Sequence, residues 1–300
     1  MLSFGAMARG ISAAWAARLR GPLEHLYRRY DYDARIASDA IQYPARYPAP
    51  LDREIVALLS ASLAYGRVSL FGAWLVRLLE WLGPSPRDFV AAFDPARDAK
   101  RFEPFHYRFT RGPDVAAAVL AIHRLIARHG SLRAAFAAGY SADEPDVRPA
   151  LHRFAASILE QDFRPVGMPR LTRGFHHLFP DPARGGACKR WHLFLRWMVR
   201  RDPPDFGDWR EVSPAALLIP LDTHVANMAH AIRLTRLRSR TGRMAADVTE
   251  TLRRLDPQDP VKYDFALCHT RMRGDCLDRR DARACPACQL RPVCRHWGAR

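Results

Sequence analysis

Apolar residues recur along this chain at three- and four-residue spacing, the pattern of helices that bury one face. In DREIVALLSASLA (52–64), Ile55, Leu58, Leu59 and Ser62 fall on one side. Gly66 offers a break. LFGAWLVRLLEWL (70–82) then predicts a second helix with Trp74, Leu78 and Trp81 inward, stopped by Gly83-Pro84. A third helix is predicted over 114–129, ending at His129-Gly130 with glycine at the C-cap, and a fourth over 148–161. A shorter one is expected at 171–178. CKRWHLFLRWMVR (188–200) sets Trp191, Phe194, Leu195 and Met198 on one face, and 222–234 does the same with Val225, Met228, Ala229 and Ile232. Residues 244–254 and 261–272 are the last predicted helices. No convincing alternating strand pattern is present, so the expected class is all-α.

Two Pro-rich stretches, YPARYPAP (43–50) and DPPDFGDWREVSP (202–214), read as loops or segment boundaries. At 300 residues the chain suggests two lobes. No apolar run approaches the roughly 20 residues that cross a bilayer. The start, MLSFGAMARGISAAWAARLRG, lacks a compact apolar segment before a cleavage site. A cytoplasmic protein without a membrane partner is expected.

Charge narrows the partners. Lys plus Arg is 47 against 31 acidic residues, a formal net charge of +16. Such a balance suits a polyanion, above all nucleic acid. The alternative is a genome that writes arginine at any polar surface position. Lys100, Lys189 and Lys262 are the only lysines. Arginine keeps its proton in proteins and cannot act as a nucleophile, so a lysine retained in so arginine-rich a chain draws notice.

Four of the six cysteines crowd the last 25 residues as Cys276, Cys285, Cys288 and Cys294, a C-x8-C-x2-C-x5-C run. In a reducing compartment a metal site is favoured over a disulfide framework. Four thiolates in one loop suit a [4Fe-4S] cluster or a tetrahedral zinc, with unligated thiols the third option. One C-x2-C knuckle flanked by single cysteines looks more like a cluster loop than paired zinc knuckles. Arg279, Arg280 and Arg283 lie between the first and second cysteines, placed either to grip phosphates or simply to be solvated. Cys188 and Cys268 read as ordinary buried or reactive thiols.

IPLDTH (219–224) opens an amphipathic helix. Asp222 there reads as an N-cap, and a carboxylate at a helix start facing a cleft also suits stabilising a cation or moving a proton. Upstream, LFPDPARGGACK (178–189) leads through a Pro/Gly hairpin into another helix. Gly185 and Gly186 allow close backbone approach, and Lys189 and Arg190 sit in the next helix's first turn, where a phosphate can be met.

Together these segments resemble the helix-hairpin-helix DNA glycosylases, the superfamily of endonuclease III and the adenine mismatch glycosylase. LLSAS (58–62) looks like the start of that fold's six-helix barrel, with Ser62 where endonuclease III has a glutamine. LDTH (221–224) matches the V-D-T-H motif, and the terminal cysteine run resembles the cluster loop, with eight rather than six residues in its first gap. The hairpin departs from L-P-G-V-G-x-K-T-A, and the Pro-rich 202–214 stretch lengthens the path from Lys189 to Asp222. FLRWMVR, IPLDTH and DPVKYDFAL are more closely similar to an uncharacterised bacterial family over most of 25–275, a likeness that brings no activity.

The resemblance implies a barrel-like domain at 51–221 carrying a degenerate hairpin. A second lobe would form from 1–50 and 222–300 and bear the metal loop. It also implies a monomeric, nucleoid-associated base-excision glycosylase acting on damaged double-stranded DNA, with a structural [4Fe-4S] cluster or zinc. Asp222 would stabilise charge at the sugar of a flipped nucleotide, lodged in a pocket between the lobes. Lys189, in reach, would add AP-lyase chemistry. Gly185, Gly186, Arg190, Ser62 and the three loop arginines would hold nucleic acid. His106, Tyr107, Trp191, His192 and Trp197 are candidates to line a pocket, with core packing the rival role for the tryptophans. The rival function is a non-catalytic nucleic-acid-binding protein of the same fold; a third reading is a zinc-stapled helical protein whose charge reflects genome composition.

Overall fold

A computed structural model describes residues 11–297. It is all-α apart from one two-residue-per-strand hairpin. The helices are α1 (Ala13–Arg29), α2 (Asp33–Ile36), α3 (Pro50–Leu63), α4 (Val68–Leu82), α5 (Pro86–Ala91), α6 (Pro95–Asp98) and α7 (Gly112–His129). They continue with α8 (Leu132–Ala137), α9 (Arg148–Leu159), α10 (Arg173–Leu178) and α11 (Lys189–Val199). The last are α12 (Thr223–Ala231), α13 (Gly242–Arg253) and α14 (Asp264–Met272). Strands β1 (His106–Tyr107) and β2 (Thr110–Arg111) pair antiparallel just before α7.

The chain divides into two compact units. The larger takes 36–184 and 193–212; the other takes 11–35, 185–192 and 213–297. The expected division at 51–221 therefore shifts. The boundary runs through α11, whose first turn belongs to one unit and whose remainder belongs to the other. Residues 191–199 of α11 are buried, its polar His192 and Arg196 included, so the polar positions of the helix do not mark a border.

The larger unit is built around α7. Pro113 occupies its first turn, the Asp114 carboxylate takes the Arg111 N–H at 2.7 Å, and Gly130 at φ +85° ends it. Ala116, Ala117, Ala118 and Ala121 are buried along α7, letting α5, α8 and α10 approach closely. These helices pack around α7. Gly66, at φ +84° after α3, cannot be replaced freely, because a Cβ there would stand 2.6 Å from the Tyr107 hydroxyl.

The Pro-rich stretch is partly interior. Phe206 N–H donates to Trp197 O at 2.8 Å and Trp209 N–H to Met198 O at 2.8 Å, pinning the strap along α11. Asp205 is buried with Arg196 at 3.1 Å and Arg200 at 2.5 Å. Glu54 accepts Leu132 N–H at 2.7 Å, Arg133 N–H at 3.0 Å and the Trp209 indole at 3.2 Å. Its carboxylate thereby serves the open N-terminus of α8.

In the other unit α12 packs on α14, and α1 lies against the turn Arg291–Val293. Leu19, Leu23 and Leu26 of α1 are buried with Met244, Val248 and Leu252 of α13 in this unit's core. Arg20 of α1 donates to Leu255 O at 2.6 Å, just past the end of α13. Lys262 Nζ sits between Glu24 at 2.6 Å and Asp256 at 2.7 Å. Among the described residues no helix is long and apolar enough to cross a membrane.

Candidate active site

Asp222 opens α12 with extended backbone, and its Oδ1 accepts the Val225 N–H at 2.9 Å. The capping role expected from sequence is therefore filled by one oxygen. The other, Oδ2, lies 3.7 Å from Lys189 Nζ. The side chains are 20% and 30% exposed, so solvent reaches both. The two residues expected to share chemistry are thus brought together within this unit.

Lys189 is positioned by the turn before α11. Asp181 accepts the Ala183 N–H at 2.8 Å, and Pro182–Arg184 form a 3-10 turn. Gly185 follows at φ +73°. Gly186 then bridges to Thr241, while Gly242 N–H donates to Gly185 O at 3.0 Å. A side chain on Gly242 would press on Gly186 O at 3.0 Å, so the two strands of backbone need a glycine there. Cys188, at φ +45°, accepts the Trp191 N–H at 3.0 Å and the His192 N–H at 3.2 Å, and so starts α11. A non-glycine residue in this region costs on the order of 1 kcal/mol or more, offset here by burial of its side chain. The Pro/Gly run therefore forms a turn, fastened to Thr241 and Gly242 at the start of α13. Gly185 and Gly186 are exposed, and nothing lies within 4 Å of where either side chain would project. Arg190 is half-buried.

A third group joins the pair. The Cys268 thiol donates to Asp222 Oδ2 over 3.7 Å and has Met272 Sδ at 3.6 Å. Nearby, burial pushes the Tyr30 phenol up to about 12, against Arg35 and Arg273 and with help from Asp275 and Cys268. Sequence reasoning missed Cys268 as a site residue. Its placement depends on α14 packing against α12, which nothing in the run FALCHT announces.

The DUF2400 profile, described as a protein of unknown function, matches residues 39–273. The chain belongs to the DUF2400 family. No curated protein and no solved structure matches it. The matched span takes in Lys189, Asp222 and Cys268 and stops before the four-cysteine loop.

In this DUF2400 chain none of the six cysteines is in a disulfide. Cys285–Ala287 and Arg291–Val293 are 3-10 turns with proline at the second position, each delivering a cysteine, Cys288 or Cys294, as its C-cap. Cys288 N–H returns to Cys285 O and Cys294 N–H to Arg291 O, both at 3.2 Å. Burial pushes the Cys288 thiol up, against the Leu290 N–H that it accepts; negative charge at Cys276, Cys294 and Cys285 adds to the rise. Asp281 N–H points at Cys285 Sγ, 3.4 Å away. Arg271 reaches Cys276, at 3.1 Å to its carbonyl and 3.8 Å to its sulfur. The loop is anchored by Arg295 N–H to Ala231 O at 2.8 Å and by buried Leu290 and Val293. Among the described residues no group of three or more His, Cys, Asp or Glu is arranged to hold a metal ion. Backbone N–H groups are aimed at two of the four loop sulfurs, that of Asp281 at Cys285 and that of Leu290 at Cys288.

Other expected residues scatter. Arg279, Arg280 and Arg283 are exposed on the cysteine loop, with Arg280 donating to His296 O and lying over the Trp297 ring at 5.3 Å. Ser62 is 3% exposed and lines a small apolar pocket in the larger unit with Leu59, Leu78 and Val115. That placement does not support a surface contact with nucleic acid. Tyr107, Trp191, His192 and Trp197 are buried, in keeping with core packing for the tryptophans, and His106 is exposed.

Proposed function

We propose that this protein is a DNA base-excision glycosylase with AP-lyase activity, in which Asp222 and Lys189 carry the chemistry on a flipped nucleotide. The approach of Lys189 Nζ to Asp222 Oδ2 at 3.7 Å carries the reading. A partly exposed ion pair adds only about 0–1 kcal/mol to folding, so stability gives little reason to hold the two together. The capping need of α12 is met by Oδ1 alone. Oδ2, beside Lys189 and the Cys268 thiol, is not needed for the cap, and the resemblance at Leu221–His224 supports a role for it in a reaction. The cationic chain, at +16, supports a polyanionic substrate.

The step balances with these two groups. The Lys189 ammonium gives up a proton, which water carries to the departing base, and the amine so formed attacks the sugar C1′, forming the N–C1′ bond. The C1′–base bond breaks, and its electron pair leaves with the base, which takes up a proton. Asp222 stabilises the positive charge that grows on the sugar and accepts a proton from the new ammonium. The C1′–O4′ bond then breaks, O4′ takes the proton held by Asp222, and the nitrogen lone pair forms an iminium between Lys189 and C1′. Loss of a C2′ proton then expels the 3′ phosphate and nicks the strand. Cys276, Cys285, Cys288 and Cys294 would hold a [4Fe-4S] cluster. That group, when bound, ties the loop as a structural cross-link and takes no part in the chemistry.

A panel of duplexes, each carrying one damaged or mismatched base, tests the reading through base release and nicking. The wild type is expected to turn over at least one duplex, and Asp222→Asn to lose that turnover by a hundredfold or more, on the order of removing one charge-stabilising group. Tight binding without turnover on any duplex, abasic ones included, would instead support a non-catalytic binding module.

A further inference from the structure

From the end of α12 into the first turn of α13 runs RLTRLRSRTGR, residues 233–243, with arginine at 233, 236, 238, 240 and 243. No acidic residue occurs between Asp222 and Asp247. All five arginines are exposed, while Leu234 and Thr235 between them are buried. The loop is held from inside. Leu234 N–H donates to Ala229 O at 2.7 Å, the Thr235 hydroxyl to Asp247 at 2.5 Å, and the Thr251 hydroxyl to Leu234 O at 2.9 Å. The His230 ring meets Leu237 O at 2.7 Å. Inward residues are fixed; Arg233 lies over the Trp15 ring at 5.4 Å, and Arg236, Arg238 and Arg243 are exposed.

This loop also touches both halves of the candidate site. Arg240 donates to the Thr223 hydroxyl at 2.9 Å, next to Asp222. Thr241 and Gly242 pair with the exposed Gly186 and Gly185 ahead of Lys189. Among the described residues, Arg236, Arg238 and Arg243 make no ion pair, so their charge is uncompensated. On the cysteine loop, by contrast, Arg280 is engaged by His296 and Trp297.

We propose that the 233–243 loop is the phosphate-backbone grip of the Asp222–Lys189 site, seating a DNA strand alongside the Gly185-Gly186 turn. The inference rests on the glycosylase reading for its ligand and adds where the strand lies. A segment braced before binding loses little freedom on gripping phosphates, and several exposed arginines on one short braced segment match a phosphate row in a way that isolated surface arginines do not. Such contacts position the strand without reading its bases.

The experiment measures binding of the full chain to an abasic-analogue duplex and to an intact duplex across a range of salt concentrations. Arg236, Arg238 and Arg243 are replaced together by Ala, or together by Lys; Arg240 is left intact because it holds Thr223. Each phosphate contact contributes about 0.9 to the slope of log K against log salt, so the Ala variant is expected to lose roughly 2–3 from that slope. It should weaken at least tenfold on both duplexes, while the Lys variant keeps most of the slope. Both variants should melt with the wild type. An Ala variant with unchanged slope and affinity overturns the inference while leaving the glycosylase reading in place. So does a Lys variant that binds as poorly as the Ala variant. A wild type that binds neither duplex overturns both.

Discussion

The Cys268 thiol lies 3.7 Å from Asp222 Oδ2, the same carboxylate oxygen that faces Lys189. Anything bulky on that sulfur would intrude on the pair. Iodoacetamide treatment of the holoprotein is therefore expected to abolish nicking of abasic DNA, and bound abasic duplex to protect against it. Cys268→Ala protein should keep most of its activity and resist the reagent. Equal inactivation of the wild type and Cys268→Ala would place the sensitive thiol elsewhere.

The two Asp222 oxygens do separable work. Asn caps a helix about as well as Asp, whereas Ala does not. Asp222→Asn is expected to melt within about 0.5 kcal/mol of the wild type yet lose base release. Asp222→Ala should lose base release and also about 1 kcal/mol of stability. Chemical denaturation of both variants checks this. A large stability loss in the Asn variant would mean that Oδ2 is structural.

Lys262 sits within an ionic knot of the second unit. Burial alone would raise the Glu24 and Asp256 carboxyls, but Lys262, with Tyr263 on Glu24 and backbone N–H groups on Asp256, holds both below the usual carboxylate range. Burial likewise opposes the Lys262 charge, and the two carboxylates more than reverse this, raising it. Stability from the lowered carboxyls is present above their unfolded values near 4.5 and 3.8 and is lost as pH falls through the folded ones. The lysine's share is complete below its unfolded value near 10.5 and is lost as pH rises through the raised folded value. Lys262→Met is expected to be less stable at neutral pH and to show a shallower fall in denaturation midpoint below about pH 4.5. An acid limb unchanged from the wild type would contradict the knot.

The cysteine loop makes a compositional prediction. Protein purified without oxygen is expected to carry about four iron and four sulfide per chain, and Cys288→Ser to carry much less. One zinc per chain and no sulfide would assign the loop to a structural zinc.

Much of the fold was legible because burial in this chain follows the helical period. The helices predicted at 52–64, 70–82, 114–129 and 188–200 appear as α3, α4, α7 and α11 with ends shifted by a residue or two. Capping chemistry also showed, since Asp222 was readable as an N-cap beside its chemical role. What did not show depends on tertiary packing. Asp205 looked like a loop residue among prolines, yet it is buried against Arg196 and Arg200. Removing one partner of such a cluster costs about 3–5 kcal/mol. Ser62 shared the apolar face of α3 and went into the interior with it. The 233–243 arginines gave no signal in so arginine-rich a chain until the buried Leu234 and Thr235 showed which way the loop faces.

The central claim is that Lys189 is the nucleophile of an Asp222-assisted site. Borohydride reduction of a reaction with abasic duplex, followed by peptide mass mapping, tests it most directly. Lys100, Lys189 and Lys262 are the only lysines, so the adduct can be assigned cleanly. The expected result is one covalent DNA adduct, on Lys189, absent from Lys189→Gln. An adduct on another lysine, or one that survives in Lys189→Gln, would contradict the assignment, as would no adduct at all with the wild type.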